Sequence, residues 1–233
     1  MNKELFIKEL NKININLTDT MLDQLENYYN LLVNENKKYN LTAITEKESV
    51  YLKHFYDSIT LSKIIELNNQ TLCDIGTGAG FPGMVLKIVF PHLKVTLVDA
   101  TEKKCKFLKL VIEKLNLTNI EVINARAEEY SKTTREKYDI VTSRAVAPLK
   151  HLLEYSIPLV KVNGNYIAMK SDLTKELEGI SNYENKLSIS EQKILTFTLP
   201  IEESTRTLIK YTKKEKTNPI YPRKYNEIKK KEI

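Results

Sequence analysis

The chain predicts an α/β fold with a mostly parallel seven-stranded sheet and a helical extension in front of it, and three observations carry that expectation. Residues 69–213 alternate short apolar, β-branched runs with stretches of helical periodicity, the pattern of strands joined by crossover helices. The first of those runs ends in Asp74-Ile75-Gly76-Thr77-Gly78-Ala79-Gly80-Phe81-Pro82-Gly83, a segment suited to turning a strand into a helix around a ligand. Residues 1–68 show only helical periodicity.

In that first part, Leu5, Ile7, Leu10 and Ile13 mark one amphipathic helix, and Leu22, Leu25, Tyr29 and Leu32 a second. Thr45-Glu46-Lys47-Glu48 has the capping-box pattern and should open a third helix carrying His54. Thr71-Leu72-Cys73 begins the sheet. Pro82 has the fixed φ of a first helical turn, and Met84, Val85, Ile88 and Val89 give the following helix its buried face. Val95-Thr96-Leu97-Val98-Asp99 is the second strand, with a helix from Thr101. Ile120-Glu121-Val122-Ile123 is the third and runs into Asn124-Ala125-Arg126-Ala127-Glu128. Tyr138 to Thr142 and Asn165 to Met169 follow, and the runs Lys193 to Thr198 and Thr207 to Tyr211 read as an antiparallel edge.

Composition excludes several classes. The 233 residues allow one domain of ordinary size with a helical extension. The longest apolar stretches, such as Met84 to Phe90, are too short to span a bilayer, and Met1 to Asn14 is too charged for a signal peptide. A cytoplasmic protein is expected. Cys73 and Cys105 are the only cysteines and form neither a metal spacing nor a disulfide framework; Cys73, on a strand, reads as a core thiol.

The spacing Gly78-x-Gly80-x-x-Gly83, with Asp99 nineteen residues after Gly80, matches a dinucleotide fingerprint. Asp74 argues against a dinucleotide, because a carboxylate two residues before the first glycine repels a pyrophosphate. A cofactor with cationic groups and no phosphate meets no such objection. S-adenosylmethionine is one, and Asp-x-Gly-x-Gly-x-Gly resembles the first motif of class I methyltransferases, which have a Rossmann-like sheet. Asp74 would then face the methionine end, directly or through water. Asp99 either grips a ribose diol or caps the helix begun at Thr101. Glu128 lies where that class contacts adenine, or is a solvated first-turn acid.

The glycine segment, Arg126-Ala127-Glu128, Ser143-Arg144-Ala145-Val146-Ala147-Pro148-Leu149 and Lys53-His54-Phe55-Tyr56-Asp57-Ser58 together resemble the bacterial small-subunit ribosomal RNA guanine-N7 methyltransferase family, also called glucose-inhibited division protein B. Asn40-Leu41-Thr42, Tyr138-Asp139-Ile140-Val141 and Leu199-Pro200-Ile201-Glu202-Glu203-Ser204 extend the resemblance over nearly the whole chain. The chain departs from the family pattern at Glu35-Asn36, where a Trp-Asn pair is common, at Ser171 after Lys170, and in the tail after Tyr221-Pro222-Arg223-Lys224.

The resemblance implies methyl transfer to 16S ribosomal RNA or the small ribosomal subunit by a monomer. It implies a cofactor site at Asp74, Gly76, Gly78, Gly80, Phe81, Asp99, Ala127, Glu128 and Arg144, with no metal. Arg144, His54 and Asp57 are the positioning candidates. Arg144 bridges cofactor and substrate on this reading, or else pairs at the surface with Asp139 or Glu154. His54 and Asp57, three residues apart, could simply share a hydrogen bond on one helix face. A small-molecule or protein methyltransferase, a nicotinamide-dependent oxidoreductase and a non-catalytic RNA-binding module are the competing readings. Residues 213–233 hold eight basic residues against three acids, five of the six net positive charges. Tyr211, Tyr221 and Tyr225 are interleaved with them. The basic tail, 214–233, is therefore expected on RNA, away from the glycine-loop crevice, or as a solubilising disordered end.

Overall fold

Adjacent apolar residues along each strand fall on opposite faces, and that alternation divides the interior into two cores. In the computed structural model, which describes residues 1–171 and 176–233, seven strands form one sheet. They are β1 (Thr71–Ile75), β2 (Lys94–Asp99), β3 (Ile120–Asn124), β4 (Tyr138–Arg144), β5 (Val160–Lys170), β6 (Ile189–Thr198) and β7 (Thr205–Lys213), in the order β3-β2-β1-β4-β5-β7-β6. β1 to β5 pair in parallel, while β7 is antiparallel to both β5 and β6. Leu72, Leu97, Ile140, Ile167 and Leu208 enter one core; their neighbours Cys73, Val98, Val141, Ala168 and Ile209 enter the other. Burial on both faces explains the near-continuous apolar runs of the central strands. It also pushes the Cys73 thiol well up, so this cysteine is a packing residue and not a nucleophile.

The first core is covered by α1 (Lys3–Asn11), α2 (Asp19–Tyr39), α3 (Lys47–Val50), a π-helical stretch (Tyr51–Tyr56), α4 (Asp57–Ile59), α5 (Gly83–Val89) and α6 (Glu102–Lys114). The second is covered by α7 (Ala127–Thr133), α8 (Leu149–Ser156) and α9 (Ile180–Leu187), followed by the terminal helix α10 (Tyr225–Lys230).

Three local expectations are corrected. The third helix is capped by Glu46 and not Thr45, because the Glu46 carboxylate accepts from the backbone N–H groups of Glu48 (2.9 Å) and Ser49 (2.6 Å). That helix then widens into the π-helical stretch, which carries His54. Pro82 occupies the cap position of α5, one residue ahead of the first helical residue, since the Gly83 N–H is taken by the Asp74 side chain (2.8 Å). β5 begins well before Asn165, its start hidden by the polar Lys161 and Asn163 on either side of Val162.

The tail returns to the body of the protein. Buried Glu154 on α8 accepts three hydrogen bonds from Arg223, at 2.8, 2.9 and 2.8 Å from the main-chain N, Nε and Nη2. Lys150 pairs with Glu232 at 2.6 Å, Asn182 on α9 donates to the Ile233 carbonyl, and Ile233 itself is buried.

Candidate active site

At the carboxyl end of β1 the chain turns through Gly76, Gly78 and Gly80, all with positive φ (66°, 63° and 105°). Two carboxylates from neighbouring strands hold this loop. Asp99, ending β2, accepts from the Gly78 N–H through Oδ2 (2.9 Å) and from the Thr101 N–H through Oδ1 (2.8 Å). Asp74 lies fully buried beneath the loop, its Oδ2 accepting from Thr77 Oγ1 (2.6 Å) and the Gly83 N–H. Its Oδ1 has no hydrogen-bond partner among the described residues. Burial pushes the Asp74 carboxyl up to about 7, against the pull of those hydrogen bonds.

β1 and β4 are adjacent, with the strand order reversing between them, and two cavities open there on either side of the loop. They share Gly76, Lys104 and Ala145, so they are halves of one cleft. The half of about 620 Å³ contains Asp99, Arg126, Ala127 and Glu128; the other, about 580 Å³, contains Gly78, Phe81, His54, Asp57 and Arg144.

A buried ionic cluster organises the second half. Arg144, the last residue of β4, donates to the Lys53 carbonyl (2.8 Å), to Asp57 Oδ2 (2.8 Å) and to His54 Nδ1 (3.2 Å). A guanidinium has no acceptor, so Nδ1 of His54 is unprotonated. The remaining ring proton then lies on Nε2, which donates to Thr42 Oγ1 at 3.0 Å. Burial and the Arg144 charge push His54 down to about 3, and it is neutral near pH 7. Its ring stacks on Phe81 (centroids 4.2 Å apart, planes 15° apart), and Arg144 lies over the same Phe81 ring at 5.3 Å. Asp57 is completed by Arg206 of β7, whose Nε reaches Oδ1 at 3.0 Å.

The structure brings together most of the residues expected from sequence. Arg144 pairs with neither Asp139 nor Glu154; it faces the cleft. Asp139 is engaged by Thr71 and Lys161, and Glu154 by Arg223. His54 and Asp57 make no mutual bond, because both bind Arg144. Glu128 is buried, with Arg126 at 3.7 Å, and is not a solvated acid. Asp74 and Gly80 line neither cavity. A Cβ on Gly80 would strike the Tyr28 hydroxyl and come within 2.8 Å of Met84 Cβ, so Gly80 is a packing glycine. A Cβ on Gly78 would meet only the Gly76 carbonyl at 4.0 Å; this glycine faces open space. Arg206 and Thr42 were not singled out by sequence. Thr42 could have been, since Asn40-Leu41-Thr42 and the His54 segment belong to one set of motifs. Asn40 ends α2 with φ 50°, and Asn36 Oδ1 accepts from the N–H groups of Leu41 (2.6 Å) and Thr42 (2.9 Å).

Asp99 and Glu128 line one cavity beside the loop, an arrangement that repels a pyrophosphate and suits a cationic cofactor without phosphate. The residues present therefore fit S-adenosylmethionine, with Asp99 and Glu128 in one half of the cleft and Gly78, Phe81 and Arg144 in the other. Fold and site together define a class I, S-adenosylmethionine-dependent methyltransferase. Among solved structures, the fold resembles the YcgJ protein of Bacillus subtilis (TM-score 0.56, 14% identity, 70% of this chain and 100% of that one). It also resembles M. jannaschii TYW2 in complex with AdoMet (TM-score 0.53, 15% identity, 66% and 74%).

Residues 21–208 match the family model described as rRNA small subunit methyltransferase G. Proteins named ribosomal RNA small subunit methyltransferase G from Bacillus cytotoxicus and Oceanobacillus iheyensis are 47% and 46% identical to it, over 96% of this chain and 95% and 96% of theirs. The chain belongs to this family.

Proposed function

We infer that this protein transfers the methyl group of S-adenosylmethionine to N7 of a guanine in 16S ribosomal RNA. The observation that carries the reading is the state of the cleft's histidine. His54 is neutral, with both ring nitrogens engaged by Arg144 and Thr42, so it is held as a rigid surface and not as a proton acceptor. Guanine N7 has an in-plane lone pair and no proton, and its methylation needs position and exclusion of water, not a base. The cofactor supplies an electrophilic methyl group. Gly76, Gly78, Phe81, Asp99, Ala127, Glu128 and Arg144 hold it, and Asp74 and Gly80 act from below by fixing the loop. Of the cations lining the substrate half, Lys53, Lys170 and Arg206 pair with Glu202, Glu176 and Asp57, and Lys104, which has no ion pair among the described residues, is the one suited to an RNA phosphate. No helix among the described residues is long and apolar enough to cross a membrane; the enzyme acts as a monomer in the cytoplasm, on the 16S RNA or the small subunit.

The test is mapping of N7-methylguanine in ribosomal RNA from cells with and without the gene. One 16S site should lose its methyl group and regain it when the gene is restored. Identical maps would overturn the assignment.

A further inference from the structure

The nucleoside half of the cleft has a wall that the seven-stranded core does not supply. Tyr225 and Lys229, both on α10, line the same cavity as Asp99, Arg126 and Glu128. The Tyr225 ring is held by two cations, with the Arg126 guanidinium 5.2 Å and Lys229 Nζ 4.7 Å from its centroid. Ile228, three residues on and so on the same side of the helix as Tyr225, is buried, which turns that side of α10 toward the body of the protein.

The segment is fastened at both ends. Ahead of the helix, Arg223 grips the fully buried Glu154 through three hydrogen bonds. Behind it, Lys150 pairs with Glu232, and the Tyr183 hydroxyl accepts from the Ile233 N–H (3.3 Å). Leaving Glu154 buried without its arginine would be costly, so the docked position is strongly favoured. Part of the tail's positive charge is consumed inside the molecule: Arg223 by Glu154, and buried Lys213 by Glu136 at 3.0 Å.

We propose that α10 is the outer wall of the nucleoside subsite, and that Tyr225 is a positioning residue for the purine nucleoside of the cofactor. The proposal rests on reading the cleft as the S-adenosylmethionine site, and it reverses the expectation that the tail stays away from the glycine-loop crevice. An aromatic wall contact contributes about 0.5–1.5 kcal/mol beyond its area. Two ligands separate the halves of the cleft: S-adenosylhomocysteine spans both, whereas 5′-methylthioadenosine carries only the nucleoside and its thioether.

The experiment is calorimetric titration of both ligands into full-length wild type, Tyr225→Ala, Tyr225→Phe and Arg223→Ala. Tyr225→Ala should weaken both ligands by the same factor, about three- to tenfold. Its melting temperature should be unchanged, because the ring is half-exposed. Tyr225→Phe should bind as wild type. Arg223→Ala, which frees the helix from its anchor, should weaken both ligands as well. Affinities of Tyr225→Ala and Arg223→Ala within twofold of wild type overturn the wall, as does a loss confined to S-adenosylhomocysteine. Wild-type protein that binds neither ligand overturns the cofactor reading, and the wall with it.

Discussion

The two halves of the cleft are covered by opposite ends of the chain and built from different chemistry. Over the substrate half, residues 41–57 bring in Thr42, His54 and Asp57, which lock onto Arg144 through a buried ionic network. Over the nucleoside half, Asp99 grips the loop backbone, buried Glu128 lines the same cavity, and α10 lines its side. One half is thus specified by side chains far apart in sequence, the other by a strand–turn–helix unit and its immediate neighbours. That difference predicts that damage to the network should lower the rate with modest effect on cofactor affinity, and that damage to the loop should do the reverse.

Arg144→Ala is the severest test. It removes three hydrogen bonds and leaves Asp57 with Arg206 alone and His54 Nδ1 unpaired. Removing one partner of a buried pair costs about 3–5 kcal/mol, and the lower end applies because Asp57 retains a cation. Single-turnover methylation of ribosomal RNA should fall at least about a hundredfold. Arg144→Lys should not restore it, since a single ammonium cannot reach a carbonyl, a carboxylate and an imidazole at once. Arg206→Ala, which takes from Asp57 only the contact to Oδ1, should be milder. Equal losses for Arg144→Ala and Arg206→Ala would break the idea that Arg144 is the centre of the network.

The glycine loop offers a sharper contrast within one turn. Gly80→Ala forces a Cβ into Tyr28 and Met84 at φ 105°, and should cost about 1–3 kcal/mol of stability by strain and overpacking. Gly78→Ala meets open space, so its protein should melt within a few degrees of wild type, lowered only by about 1–2 kcal/mol of left-handed strain. S-adenosylhomocysteine affinity should fall strongly in Gly78→Ala. Thermal melts alongside titrations decide it, and an unstable Gly78→Ala with normal affinity would put Gly78 outside the site.

Asp99 joins the two regions of the loop. Removing it should weaken cofactor binding by about 1–3 kcal/mol. From sequence, Asp99→Asn would be the gentler change, but both carboxylate oxygens already accept from backbone N–H groups. An amide there sets a donor against a donor, so Asp99→Asn should approach Asp99→Ala in titrations. A nearly wild-type Asp99→Asn would mean that only one of the two bonds supports the loop.

Sequence revealed the loop half well because its information is local: Asp74, the glycines and Asp99 sit at fixed offsets around one turn, and the period-2 runs that surround them give the sheet. The network half was legible only as a set of motifs without their connections. His54 and Asp57 suggest a helix-face pair at spacing three; that each reaches instead for Arg144, some ninety residues away, is decided by the packing of the N-terminal extension against β4. Arg206 lies on β7, between β5 and β6, and the sequence gives no reason to prefer it to any other arginine. The tail misled for a different reason. Its charge pattern reads as solvated, while the residues that dock it, Glu154, Tyr183 and Lys150, are distant in sequence and silent until the helices are in place.

The smallest expected effect concerns protons and divides the two regions again. His54 in the network is pushed down from 6.5 to about 3, so between those values the unfolded chain binds more protons than the folded one. The stability gained by burying it neutral is complete above about pH 6.5 and is lost as pH falls toward 3. Asp74 under the loop is shifted the other way, from 3.8 to about 7, so there the folded state binds more protons and stability is gained as pH falls through that window. The two slopes oppose each other between about pH 4 and 6.5. Replacing His54 with Asn removes one of them, and the variant's stability relative to wild type should improve by about 1–2 kcal/mol between pH 7 and pH 5. Urea unfolding of both proteins across that range measures the difference directly. A gap between variant and wild type that stays constant with pH would show that His54 is protonated alike in the folded and unfolded states. His54 would then keep the ordinary basicity of an imidazole, and the absence of a general base from the network half would lose its support.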